Sequence, residues 1–134
     1  MFSNNPFFIK IANNYFSLNK IDININDSFH KLKIKGNLHF SSHTSISNNV
    51  FAPNIMGPFS YFSSMECNHA ILSMKSNIDG SLHFNDNLIN FNNGVAYIEK
   101  DWGTSFPKSY IWCQSNEFLA FPANFMLSVA TIPL

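Results

Sequence analysis

The chain has 134 residues, of which 46% are hydrophobic and only 12% charged, and its eight basic and eight acidic side chains leave a formal net charge of zero. That length suits one ordinary domain and is too short for two well-packed ones, so the expectation is a single domain over 1–134 or a fragment of a larger one. A neutral balance argues against nucleic acid as a partner, because phosphate binding is driven by clustered positive charge.

Polarity comes instead from asparagine, which fills twenty positions, while every basic residue is lysine. This excess of Asn, Lys, Ile and Phe has the look of codon bias, and lone asparagines are discounted accordingly. Two cysteines, Cys67 and Cys113, make no disulfide framework and are read as reduced. The N-terminal MFSNNPFFIK has no basic segment followed by a long apolar run, so no signal peptide is expected and the location is read as cytoplasmic.

Alternation dominates the chain and helical periodicity is nearly absent. A first strand is expected over Pro6–Ile11. KIDININD sets Ile21, Ile23 and Ile25 on one face and Asp22, Asn24 and Asn26 on the other, and KLKIKGNLHF repeats the pattern with Leu32, Ile34, Leu38 and Phe40. Lys31, Lys33 and Lys35 fall on one strand face and read as a solvated surface. Residues 45–64 break the rhythm. Pro53, Gly57 and Pro58 among Phe51, Ile55, Met56, Phe59, Tyr61 and Phe62 make an apolar loop, a plug or a lid, rather than a central strand.

Further strands are expected over Met65–Met74, Ile78–Phe84, Leu88–Asn92, Val95–Trp102, Tyr110–Phe118 and Phe125–Ile132. Asn13-Asn14, Asp79-Gly80, Asn85-Asp86-Asn87 and Asn93-Gly94 supply tight reversals or positive φ between them. The most apolar stretch, Phe118 to Leu134, is interrupted by Pro122, Asn124 and Pro133. It reads as strand-forming, because a membrane-spanning helix needs about 20 uninterrupted apolar residues. That tail ends while still reading as core, which suggests a chain truncated inside a larger fold. The fold class is therefore all-β, an antiparallel meander that closes into a barrel.

Candidate chemistry concentrates between Tyr97 and Phe118, where both tryptophans sit beside Glu99, Lys100, Asp101, Lys108 and Glu117. Alternation divides Tyr97, Glu99 and Asp101 from Ile98, Lys100 and Trp102, and groups Tyr110, Trp112, Gln114 and Asn116. Aromatic area combined with amide donors and acceptors suits a wall that holds a large apolar ligand with one polar end. Upstream, MECNHAILSM places Glu66 and Asn68 on one face, Cys67 and His69 on the other. Cys67 and His69 have no orienting partner in the pattern, and the five histidines show no ligand spacing, so no metal site is expected. A carboxyl among Glu66, Glu99 and Asp101 would, in a dry cavity, stay neutral and act as a proton donor.

The run Glu99, Lys100, Asp101, Trp102, Gly103, Phe106 and Pro107, followed by Trp112, Gln114, Asn116 and Phe118, resembles the tocopherol cyclase family. PNIMGPFSYFSSMECNHAILSM upstream looks like the family's bacterial branch. The resemblance is close from about Pro53 to Phe118 and loose elsewhere. Asp101 stands where plant-type members have Asn, Tyr110 where they usually have Trp, and Ser115 where they have Cys.

The resemblance implies a lipocalin-like barrel, or half of a two-lobed one whose C-terminal half would be a partner. It implies closure of a chromanol ring on a prenylated quinol without a cofactor: an acid protonates the prenyl double bond and the phenol oxygen captures the tertiary cation. Glu66 or Glu99 would be the acid, Trp102, Tyr110 and Trp112 would wall the cation, and Gln114 and Asn116 would hold the quinol oxygens. A lipophilic substrate also implies peripheral membrane contact. Two alternatives stand beside it: a non-catalytic binding protein for a quinone, carotenoid or other lipid, and an inactive fragment.

Overall fold

The computed structural model describes residues 1–4, 6–62, 65–118 and 120–131. Its strands are β1 (Phe2–Asn4), β2 (Phe7–Ile11), β3 (Asn14–Ser17), β4 (Lys20–Asp27), β5 (Leu32–Thr44), β6 (Cys67–Phe84), β7 (Asn87–Asn90), β8 (Gly94–Gly103), β9 (Tyr110–Ser115) and β10 (Phe125–Ala130). A short 3-10 helix, Gly57–Tyr61, lies between β5 and β6. No helix among the described residues is long and apolar enough to cross a membrane. The fold is all-β and antiparallel, as the alternation requires.

The chain divides into two compact units, one built from Met1–His43 and Ser76–Ala96, the other from Thr44–Lys75 and Tyr97–Leu134. In the first unit β1 to β5 follow one another as antiparallel neighbours. The β4/β5 register sets Ile21 opposite Leu38, Ile23 opposite Gly36 and Ile25 opposite Ile34, so the apolar faces read from KIDININD and KLKIKGNLHF coincide. Leu38, Phe40 and Ile78 are buried in this unit. Its reversals use positive φ at Ala12 and Asn85.

Gly80 has the expected positive φ, 126°, but Asp79-Gly80 makes no reversal. The strands expected over Met65–Met74 and Ile78–Phe84 are one 18-residue strand, β6, that runs through it. The reason is backbone proximity: a Cβ on Gly80 would lie 2.3 Å from the Asn37 carbonyl oxygen, and one on Gly36 would lie 2.2 Å from that of Ser81. The two glycines let β5 and β6 approach where any side chain would collide. Asn93 has the expected positive φ of 59°, yet the chain there kinks rather than reverses, since β7 and β8 both pair with β6. Asn92 Oδ1 accepts the Gly80 N–H at 2.9 Å, and Asp79 Oδ1 accepts that of Asn93 at 3.1 Å, which holds the kink.

Pairing among the described residues follows an open path from β1 to β7, with β8 also on β6, and forms no closed barrel there. Strands β1 and β7, of three and four residues, end that path, and such short edges offer little to a foreign strand.

In the second unit β9 and β10 form an antiparallel pair that sets Trp112 opposite Ser128 and Gln114 opposite Met126. The strand expected to Phe118 ends at Ser115, and the one expected to Ile132 ends at Ala130, Ile132 lying outside the described residues. Among the described residues of 45–64 there is the 3-10 helix and an isolated bridge between Asn49 and Ala52 but no longer strand; Ser63 and Ser64 lie outside the described residues. Asparagines order this loop: Asn49 Oδ1 accepts the N–H groups of Phe51 and Ala52, and Asn54 Oδ1 accepts that of Met56 at 2.8 Å.

The glycine argument predicts a contrast measurable by urea denaturation. Gly80→Ala should lose at least about 2 kcal/mol, because backbone must move to admit the methyl group. Gly57→Ala, at φ +57 with nothing within 4 Å of the new Cβ, should lose only about 1 kcal/mol.

Candidate functional site

Register between β6 and β8 places the chemistry. Glu66 O accepts the N–H of Thr104 at 2.8 Å and of Ser105 at 3.2 Å, and a Cβ on Gly103 would lie 2.0 Å from the same oxygen. Glycine at 103 therefore permits the close approach that ends β8 against the start of β6. With that end pinned, Cys67 and His69 on β6 share a cavity with Glu99 and Asp101 on β8.

The cavity has a volume of about 550 Å³ and is lined entirely by the second unit. The apolar loop supplies Ile55, Met56 and Phe59, and Met65 adjoins them. Phe106, Pro107, Tyr110 and Trp112 come from the loop after β8 and from β9, and Met126, Leu127, Ser128 and Ala130 complete the wall from β10. Apart from His69, Glu99 and Asp101, the lining is overwhelmingly apolar and aromatic. The volume falls within the roughly 300–1,000 Å³ of small-molecule sites.

His69 stands between the two carboxylates. Its Nε2 lies 3.3 Å from Glu99 Oε2 and its Nδ1 lies 3.3 Å from Asp101 Oδ1; the imidazole is only 16% exposed. Nε2 is buried and has no aligned hydrogen-bond partner, so the contact to Glu99 is one of distance and charge rather than a formed hydrogen bond. Glu99 Oε2 also accepts the Tyr97 hydroxyl at 2.8 Å and the Trp112 indole N–H at 3.2 Å. The Tyr97 and Trp112 rings meet with centroids 6.1 Å apart.

Burial pushes the Asp101 carboxyl above the ordinary aspartate range; the His69 charge opposes the shift and the Glu99 charge adds to it. Burial and the hydrogen bond to Glu99 push the Tyr97 phenol well above the ordinary tyrosine range. Burial, with the Asp101 charge, pushes the Cys67 thiol up as well, so Cys67 stays a protonated thiol and is poorly suited to nucleophilic work beside His69.

One ligand atom from each of His69, Glu99 and Asp101 lies within 4.8 Å of the others, close enough to consider a metal ion. Each ring nitrogen faces a different carboxylate, however, so the imidazole bridges the two instead of converging with both on one point.

Of the residues singled out from sequence, Glu99, Asp101, Tyr110 and Trp112 line this cavity. Glu66 does not: its carboxylate accepts the Ser105 hydroxyl at 3.0 Å and secures the loop after β8. Trp102 lies on the other face of β8, where the Lys100 ammonium sits 4.3 Å from its ring centroid. Gln114 shares the face of Tyr110 and Trp112 without lining the cavity, and its buried Nε2 has no hydrogen-bond partner. Asn116 lies beyond the end of β9, half-buried. His69, which alternation sets on the face of Cys67, joins the two carboxylates here, and no local pattern announces this because Glu99 and Asp101 sit thirty or more residues away in sequence.

Alkaline titration followed by tyrosine absorbance checks the Tyr97–Glu99 pair. One of the four tyrosines should ionise later than the rest, Tyr97→Phe should remove that late component, and Glu99→Gln should bring it down toward the ordinary range. Unchanged late titration in Tyr97→Phe would refute the assignment.

The tocopherol cyclase-like family model matches residues 29–132, which include every residue that lines the cavity. No curated protein and no solved structure matches the chain. With a match over most of its length, the chain belongs to the tocopherol cyclase-like family.

Proposed function

We propose that this chain closes a chromanol ring on a prenylated quinol, using two carboxyl groups in an apolar cavity in place of a cofactor. The observation that carries the reading is the pairing of Asp101 and Glu99 on one strand face, set in a wall of Phe59, Phe106, Tyr110 and Trp112.

The chemistry needs a neutral acid, a base for the phenol, and aromatic faces around a tertiary carbocation. Asp101 suits the acid, because burial favours its protonated form. Glu99 suits the base, since the donors Tyr97 and Trp112 orient its carboxylate. Asp101 gives its proton to the prenyl double bond, the phenol oxygen attacks the tertiary cation, and the phenol proton passes to Glu99. A C–H bond and a C–O bond form while the C=C π bond and the O–H bond break, so the product is an isomer of the substrate.

Water must be kept from the cation. Phe106 and Tyr110 are 69% and 59% exposed, and a prenyl chain lying against them removes that water as it binds. Family membership supports the reaction class, and the cavity supports an apolar ligand. A quinol with a prenyl chain satisfies both.

The test is cyclisation of a prenylated methylhydroquinone by the purified chain and its variants. Asp101→Asn and Glu99→Gln should each lower kcat about 100-fold or more, the usual scale for removing a general acid or base, with little change in substrate affinity. Glu66→Gln should keep kcat within a few-fold. Binding of the quinol without any turnover would replace the enzyme with a carrier, and full activity in both Asp101→Asn and Glu99→Gln would remove the carboxyl mechanism.

A further inference from the structure

We infer that His69 is a proton relay that returns the proton from Glu99 to Asp101 after each ring closure, an inference that rests on the proposed reaction. The need follows from balance. Ring closure is an isomerisation, so the proton taken from the phenol equals the proton given to the alkene, but the two transfers occur at different carboxyl groups. After one turnover Asp101 is ionised and Glu99 is protonated. While the prenyl chain fills the cavity it excludes water, and water is then a poor carrier between them.

The geometry supplies a carrier. Imidazole is the one side chain that can accept a proton at one ring nitrogen while releasing another from the second. His69 presents Nε2 to Glu99 and Nδ1 to Asp101, each at 3.3 Å. Glu99 hands its proton to Nε2, and Nδ1–H hands one to Asp101. The imidazole then carries its proton on Nε2, and it returns to the Nδ1–H tautomer by exchange with solvent once the product has left the cavity. No atom is gained or lost, and Asp101 is again the acid.

Local bonding fits a group that moves protons rather than one that only packs. Nε2 is buried without an aligned partner in the resting chain, which leaves it free to take up a proton from Glu99 once that group is protonated. The backbone N–H of His69 lies 3.1 Å from Met56 Sδ, which ties the residue to the apolar loop. Cys67, which lines the same cavity two residues away, is a protonated thiol that offers no competing base.

The test separates the first turnover from those that follow, with a prenylated methylhydroquinone as probe. In His69→Gln the first turnover should run within a few-fold of the natural chain, because the relay acts only after ring closure, and later turnovers should slow by about tenfold or more. Added imidazole should restore the later turnovers in His69→Ala. A purely structural role for His69 predicts that both phases fall together and that imidazole does nothing, and that outcome overturns the relay. So does an unchanged steady state in His69→Gln.

A second measurement needs no turnover and keeps failure of the relay distinct from failure of the proposed reaction. With ¹⁵N-labelled histidine in the full chain, Glu99→Gln should move the His69 Nε2 resonance and Asp101→Asn the Nδ1 resonance. If neither resonance responds, His69 does not link the two carboxyl groups, whatever the chain catalyses.

Discussion

Much of the site depends on one backbone contact, the approach of Gly103 to the Glu66 carbonyl. Hydrogen bonds from Thr104 and Ser105 to that oxygen close the end of β8 onto the start of β6, and the absence of a side chain at Gly103 makes the distance possible. Side chains alternate along a strand, so a slip of one residue here would turn Glu99 and Asp101 away from His69 and bring Lys100 and Trp102 in their place. The carboxylate of Glu66 strengthens the same junction through Ser105. Glu66 thus matters to the site as its anchor, which accounts for an acidic residue near the cavity that does not line it.

From that register the electrostatics follow. Two carboxylates on one strand face repel each other, and burial raises the cost of charging both. The chain meets the cost by placing an imidazole between them and two donors, Tyr97 and Trp112, on Glu99 alone. The two acidic groups are thereby made unlike: Glu99 is surrounded by donors, while Asp101 is held toward its neutral form. Burial and unlike neighbours are the means by which two carboxyl groups in one site come to differ.

The apolar wall and the polar loop chemistry are linked as well. The apolar loop carries Ile55, Met56 and Phe59, which border the cavity, yet Pro53, Gly57 and Pro58 keep it from forming a regular strand. Its conformation is held by Asn49 and Asn54 accepting nearby backbone N–H groups and by the Tyr61 hydroxyl donating to the Val50 carbonyl. Asparagines at Asn85 and Asn92 do comparable work at turns and kinks of the other unit. The abundance of asparagine, discounted as composition, includes positions where a short amide side chain replaces a missing backbone partner.

Local alternation determined the strand faces, and with them the all-β class, the pairing of Ile21, Ile23 and Ile25 with the next strand, and the common face of Tyr97, Glu99 and Asp101. The motif around Glu99 to Phe118 determined the family. Those features are encoded by neighbours in sequence, where period two and the spacing of unusual residues can be read directly. What tertiary structure alone decided is which faces meet. Nothing within MECNHAILSM shows that His69 will lie between residues 99 and 101, that Glu66 will serve a loop, or that Gly80 will relieve a close approach instead of turning the chain. Each depends on a partner thirty or more residues away, brought near by hydrogen-bond register between strands, and register is a property of the pair rather than of either strand.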